Sequence, residues 1–176
     1  MKAAFDEGAD ILNDISALED DCKLGPFAAQ AKIPVILMHK RGNSVIMQRN
    51  TEYSDIFKEV NEYLEKRAEC TENLGVERDR IIVDPGIGFG KDLKGNLTLI
   101  NRLDELCHGK YKVLMALSRK SFLGELTGRP VQERLTATVS ANLISVQKGA
   151  SFLRVHDVAQ TKDMLSVLRG IEFGIV

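Results

Sequence analysis

Five short apolar runs punctuate the chain, at residues 9–14, 33–39, 80–84, 113–118 and 151–156. Each is continuous rather than alternating, as expected of strands covered on both faces in a parallel sheet. Pro34 sits at the leading edge of the second run, where a missing N–H does least harm. Between the runs, apolar residues recur at helical spacing. The clearest stretch is 53–74, where Ile56, Val60, Leu64 and Ala68 form one stripe and charges occupy the other face. Further helices are predicted over 97–106, over 132–147 with Gly149 as its stop, and over 159–169. The chain opens inside a helix that precedes the first run.

Repeated strand–helix units leave two architectures, an open doubly wound sheet or a closed barrel. The polar residues choose between them. Each run ends in polar groups: Asn13 and Asp14, then His39, then Asp84, then Ser118-Arg119-Lys120, and finally Arg154, His156 and Asp157. In a barrel, five such tips converge on one mouth, whereas an open sheet uses mainly the loops at its switch point. The predicted class is therefore α/β, of the (β/α)8 TIM-barrel type. A closed barrel takes about 250 residues, so the expectation here is an incomplete barrel of about five βα units. Residues 1–176 read as one domain. The weakly repeated joins Glu7-Gly8-Ala9-Asp10-Ile11 and Lys148-Gly149-Ala150-Ser151-Phe152 mark successive units of one architecture.

Composition narrows the function classes. At 176 residues, 44% hydrophobic and 28% charged, the chain suits a single globular unit with a real core. A net charge of −1 leaves no electrostatic footprint for nucleic acid or an anionic membrane. No apolar run approaches the roughly 18 residues of a spanning helix. Residues 1–7 start a helix and lack the apolar stretch of a secretory signal, so the cytoplasm is the default location. Cys22, Cys70 and Cys107 are odd in number and widely spaced, which predicts reduced packing thiols. His39, His108 and His156 lack metal-ligand spacing, so no protein-held metal is predicted.

Three motifs carry candidate chemistry. Asp84-Pro85-Gly86-Ile87-Gly88-Phe89-Gly90-Lys91 has three residues where a P-loop needs four before its Gly-Lys, and its glycine spacing is not that of a dinucleotide fingerprint. What remains is a carboxylate at a strand tip and a glycine loop that lets a flat ligand approach the backbone. Ser118-Arg119-Lys120-Ser121-Phe122 sets two adjacent cations, a planar fork and a point charge, in an apolar run. Arg154-Val155-His156-Asp157 places Arg154 and His156 on one side of an extended strand, a pairing suited to phosphate or diphosphate. Each has a plain alternative: a satisfied loop aspartate, an exposed basic turn, or a salt bridge to Asp157. Asn13 carries donors and an acceptor for a heterocycle edge, and Met38 and Phe89 offer apolar faces for a ring. His39 is a secondary candidate contact, and His108 reads as surface.

Taken in register, Ile11-Leu12-Asn13-Asp14-Ile15, Leu37-Met38-His39, the Asp84–Lys91 loop, Ser118-Arg119-Lys120-Ser121-Phe122 and Arg154-Val155-His156-Asp157 resemble the dihydropteroate synthase family over essentially the whole chain. That family condenses a dihydropterin diphosphate with p-aminobenzoate and releases pyrophosphate. The resemblance implies pterin contacts by Asn13, Met38, Asp84, Gly88 and Lys120. It implies diphosphate contacts by Arg154 and His156, and p-aminobenzoate contacts by Phe89, Arg119, Lys120 and Ser121. Lys120, Arg154 and His156 would do the catalytic work. Mg2+ would be bound mainly through the diphosphate, and a homodimer would form through the later helices.

Two departures stand beside it. The family's first three strands and two early loops have no counterpart, with an aspartate that binds pterin and an asparagine associated with Mg2+, so the expectation is an N-terminally truncated chain of impaired activity. Ala116 stands where many members carry glycine. The competing readings are a methyltetrahydrofolate-binding methyltransferase relative and a non-catalytic pterin-binding or assembly fragment.

Overall fold

The computed structural model describes residues 1–41 and 51–174. Its five strands are β1 (Leu12–Asp14), β2 (Val35–Met38), β3 (Ile81–Asp84), β4 (Lys112–Met115) and β5 (Phe152–Leu153). All pair in parallel, each beside its neighbour in sequence, in the order β1-β2-β3-β4-β5. A doubly wound sheet reverses order at a switch point. This sheet never does, and it forms an arc of a barrel.

The helices are α1 (Lys2–Asp6), α2 (Leu24–Ala31), α3 (Ile56–Asn73), α4 (Leu93–Asn101), α5 (Leu103–Cys107), α6 (Ser121–Thr127), α7 (Leu135–Gln147) and α8 (Val158–Phe173). The apolar stripe of α3 is Phe57, Val60, Leu64 and Ala68, all buried, so Phe57 rather than Ile56 leads it. Asp55 caps that helix by accepting the Lys58 N–H at 3.1 Å, and Glu59 reaches back to the Ser54 N–H at 2.8 Å. These bonds satisfy N–H groups that a helix start otherwise leaves open. The helix predicted over 97–106 is two helices broken at Arg102, whose guanidinium lies 3.9 Å over the Phe57 ring. The sequence reading missed α2 and α6. Gly25 and Pro26 lie in the first turn of α2, where proline is tolerated.

Strand register sorts side chains onto two faces. Leu12, Val35, Leu37, Ile81, Val83, Val113 and Met115 point to the helices and join the main core. The opposite face carries Ile36, Ile82 and Leu114, with Ala116 and Phe152 partly buried against them. Asn13 pairs with Ile36, and Ile36 with Ile82, so Asn13 belongs to this second face, as do Met38 and Asp84 one pleat further on. The second face is the concave side of the arc.

Cys22, Cys70 and Cys107 are free; Cys22 is exposed, so it is not the packing thiol the sequence suggested. No helix of the described residues is long and apolar enough to cross a membrane. The main core sets a stability expectation. Leu37 is fully buried in β2, so Leu37→Ala should cost about 2–5 kcal/mol in urea denaturation. Ile171→Ala, at a position 78% exposed, should stay within about 0.5 kcal/mol.

Candidate active site

Of the strand-tip residues, Asp84, Lys120 and Arg154 come close to one another, and several side chains have partners the sequence did not foresee. Asp84 ends β3 and is 4% exposed. One carboxylate oxygen accepts the Gly86 N–H at 2.7 Å. Burial pushes its pKa up, opposed by that hydrogen bond and by Lys120, Lys91 and Arg154 nearby. Met38 lies beside it in register. Around one buried carboxyl, then, stand three cations. The surplus is positive, which suits an anionic ligand.

Lys120 immediately precedes α6. Its ammonium donates to the Ile87 carbonyl and lies 4.5 Å over the Phe89 ring. Burial lowers its pKa to about 8, and Arg154 adds to the effect while Asp84 resists it. Gly88 approaches the same lysine: a Cβ there would sit 3.3 Å from Lys120 Cδ. Ser121 begins α6 and is exposed. Ala116 lies on the concave face against Ile36, Ile82 and Leu114.

Arg119 has a left-handed backbone, φ 59°. Its guanidinium grips Asp157 through Nε at 3.0 Å and Nη2 at 2.6 Å, so Asp157 belongs to Arg119 rather than to Arg154 or His156. The backbone of this turn is held as well. Thr138 accepts the Arg119 N–H at 3.1 Å, and Arg134 donates to the carbonyls of Arg119 at 3.0 Å and Lys120 at 3.3 Å. Gly124 leaves the space for that guanidinium, since a Cβ there would come within 2.2 Å of Arg134 Nη2.

Strand β5 ends at Leu153, sooner than the sequence implied. The Arg154 N–H still donates to Met115 at 3.0 Å and prolongs the ladder, leaving the side chain exposed. His156 is not its partner by strand alternation. It is exposed and is fixed by Ser118, whose Oγ accepts the His156 N–H at 3.2 Å and meets Nδ1 at 2.9 Å. Asn13 is exposed on the concave face. Asp14 turns away and accepts from Ser16 at 2.6 Å and the Leu18 N–H at 2.5 Å.

The glycine loop corrects one sequence inference. Gly86, Gly88 and Gly90 all have positive φ, at 67°, 82° and 65°. A Cβ on Gly86 would lie 1.8 Å from the His39 carbonyl oxygen, and one on Gly90 would lie 2.9 Å from Arg41. These two glycines admit the end of β2, not a ligand. His39 is buried, edge-on to Tyr63 at 5.0 Å, with its pKa lowered to about 3 by burial and by Lys91 and Arg41. It therefore sits away from the concave face. His108 is exposed, as expected.

Sequence reasoning missed Lys91, Asn96, Arg134 and Thr138 as supports. Asn96 on α4 accepts the Gly88 N–H at 2.7 Å and donates to the Lys91 carbonyl at 3.3 Å. The available signal was a lysine closing a glycine motif inside an otherwise apolar stretch. Among the described residues, no group of three His, Cys, Asp or Glu side chains could hold a metal ion, and the mouth's own charges are mainly cationic. The described residues do not fit a protein-held Mg2+.

A parallel arc with a polar, cation-rich mouth at its strand ends belongs to the α/β barrel class, whose ligand sites lie at that end of the strands. The chain belongs to the pterin-binding enzyme family, whose model matches residues 1–156. It is 41% identical over 167 residues to the dihydropteroate synthase of Haemophilus influenzae, covering 95% of this chain and 60% of that protein. The Xanthomonas albilineans dihydropteroate synthase solved with 4-aminobenzoic acid superposes with a TM-score of 0.90 at 38% identity, covering 98% of this chain and 61% of that one. The same enzyme in complex with 7,8-dihydropteroate gives 0.89 at 38% identity, covering 97% and 62%. The chain thus spans about 60% of the length of these relatives.

The buried titrating groups make stability depend on pH. Lys91 titrates at about 7 in the folded chain, against about 10.4 for an exposed lysine. Between those values the unfolded chain binds more protons, so this lysine's penalty shrinks as pH rises. Wild-type stability minus that of Lys91→Met should therefore increase between about pH 6 and about pH 9 in denaturant titrations. A constant or falling difference would contradict the assignment.

Proposed function

We propose that this chain, residues 1–176 taken as one pterin-binding unit, acts as a dihydropteroate synthase in folate biosynthesis. In this reading it binds 6-hydroxymethyl-7,8-dihydropterin diphosphate and directs p-aminobenzoate onto it. The observation that carries the reading is one buried carboxyl, Asp84, on the concave face, with the cations of Lys120 and Arg154 close to it. A carboxylate suits the adjacent N–H donors of an amino-pyrimidine edge, and the surrounding cations suit the diphosphate.

Each residue then has a task. Asp84 and Asn13 read the ring edge, Lys120 faces its carbonyl, and Met38 and Gly88 bound the slot. Arg154 and His156 hold the diphosphate, and the Arg154 guanidinium stabilises the charge that grows as the carbon–oxygen bond breaks, with His156 as a further hydrogen-bonding contact. The p-aminobenzoate amine forms the new carbon–nitrogen bond and loses its surplus proton to water. Phe89, Lys120 and Ser121 line that side, and Arg119 contributes from its grip on Asp157, which leaves only part of its fork free. Diphosphate is already a good leaving group, so rate comes from positioning and electrostatics. Any Mg2+ would come with the diphosphate and would add charge neutralisation there, since no group of the described residues would hold it. A homodimer through the later helices and a cytoplasmic location complete the reading. A methyltransferase relative expels no diphosphate and has less use for the cationic corner.

Calorimetry tests it. Asp84→Asn should weaken binding of the dihydropterin diphosphate by about tenfold or more, the size of a lost charged hydrogen bond. Arg154→Ala should weaken pyrophosphate binding while leaving a pterin without diphosphate nearly unaffected. Equal affinity for all ligands in wild type and both variants would refute the reading.

A further inference from the structure

Lys91 takes no part in the proposed chemistry, yet it is 6% exposed and its ammonium is fully engaged. It donates to the carbonyls of Gly86 and Phe89, both at 2.9 Å, and meets His39 Nδ1 at 3.0 Å. An ammonium has three N–H groups, and these three acceptors lie closest, with the His39 carbonyl further off at 3.5 Å. A buried cation satisfied by neutral acceptors, with no carboxylate paired to it directly among the described residues, is costly to keep.

The two carbonyls belong to the residues on which the mouth rests. The Gly86 N–H supports the Asp84 carboxylate at 2.7 Å, and the Phe89 ring lies 4.5 Å under the Lys120 ammonium. Lys91 holds the opposite, carbonyl side of both residues. His39 anchors the assembly to β2, since its own N–H donates to the Asp84 carbonyl at 2.9 Å. The charged or titratable groups facing Lys91 are His39 and Arg41 after β2, Asp84 on β3 and Lys120 before α6, with Tyr63 of α3 packed behind His39.

We infer that Lys91 is a positioning residue: one ammonium ties Gly86, Phe89 and His39 together, and so fixes Asp84 and Lys120 for the pterin without touching it. This inference rests on the pterin reading above. It also separates the two halves of the site, because Arg154 bonds to Met115 and His156 to Ser118, whereas the Lys91 hydrogen bonds go to His39, Gly86 and Phe89.

The test uses wild type, Lys91→Met and Lys91→Gln, with 6-hydroxymethylpterin followed by its fluorescence and inorganic pyrophosphate followed by calorimetry. Lys91→Met should weaken pterin binding by about tenfold or more and leave pyrophosphate affinity within about twofold. Lys91→Gln keeps two N–H donors for the two carbonyls and should lie between, at least about threefold weaker than wild type. Should Lys91→Met fail to fold, the glutamine variant decides alone. Pterin affinity equal to wild type in Lys91→Gln or Lys91→Met would overturn the inference. So would parallel loss of both ligands, the mark of a merely structural role. Wild type that binds pyrophosphate but no pterin would overturn the pterin reading itself, and this inference with it.

Discussion

Parity along a strand governs this molecule. Successive side chains point to opposite faces, so a slip of one residue in the pairing of β2 with β3 would send Asp84 into the helical core and Val83 onto the concave face. The register is held by what each face will accept. Leu37, Ile81 and Val83 are at most 2% exposed against the helices, and a carboxylate in their place would be buried without compensation. Hydrophobic packing on the outside of the arc thus decides which polar groups reach the inside.

That polar side is electrostatically tense. Asp84 and its neighbouring lysines are all shifted toward their neutral forms, the carboxyl upward and the ammonium groups downward, because burial penalises each charge. The protein answers with backbone groups: a Gly86 N–H for Asp84, and carbonyls of Gly86, Phe89 and Ile87 for the lysines. Glycine is what makes this possible. Positive φ at Gly86, Gly88 and Gly90 turns successive peptide groups in different directions, so one short loop offers an N–H to an anion and carbonyls to cations. In the proposed reading a ligand bringing both ring N–H donors and a diphosphate would relieve both sets of charges.

Much of this was legible from the sequence, for definable reasons. Continuous apolar runs ending in polar residues gave all five strands and their C-terminal tips, because parallel strands covered on both faces leave that signature. Boundaries were weaker. The run at 151–156 yields only two strand residues, since Phe152 and Leu153 alone pair with Leu114 and Met115. Helix α2 carries Gly25 and Pro26 in its first turn, which weakens its helical pattern, and α6 starts inside the Ser118–Phe122 motif. Pairing of side chains was the least legible layer. Nothing in Arg154-Val155-His156-Asp157 says that Asp157 turns to Arg119, or that Ser118 fixes His156; both depend on how the β4 and β5 ends lie together. Lys91 closes a motif whose spacing does not fit a phosphate loop, and its buried ammonium bonds to the Gly86 and Phe89 carbonyls. The reading of Gly86 and Gly90 as room for a ligand failed because the approaching group is the end of β2.

The central claim is that side chains from separate strand ends converge on one flat heterocycle at the concave face. The most direct measurement is a crystal structure of this chain grown with a dihydropterin. The account predicts the ring lying against Met38, its amino-pyrimidine edge within hydrogen-bonding distance of the Asp84 carboxylate and its carbonyl facing Lys120. A well-ordered pterin bound elsewhere on the chain, with Asp84 and Lys120 unchanged, would contradict it.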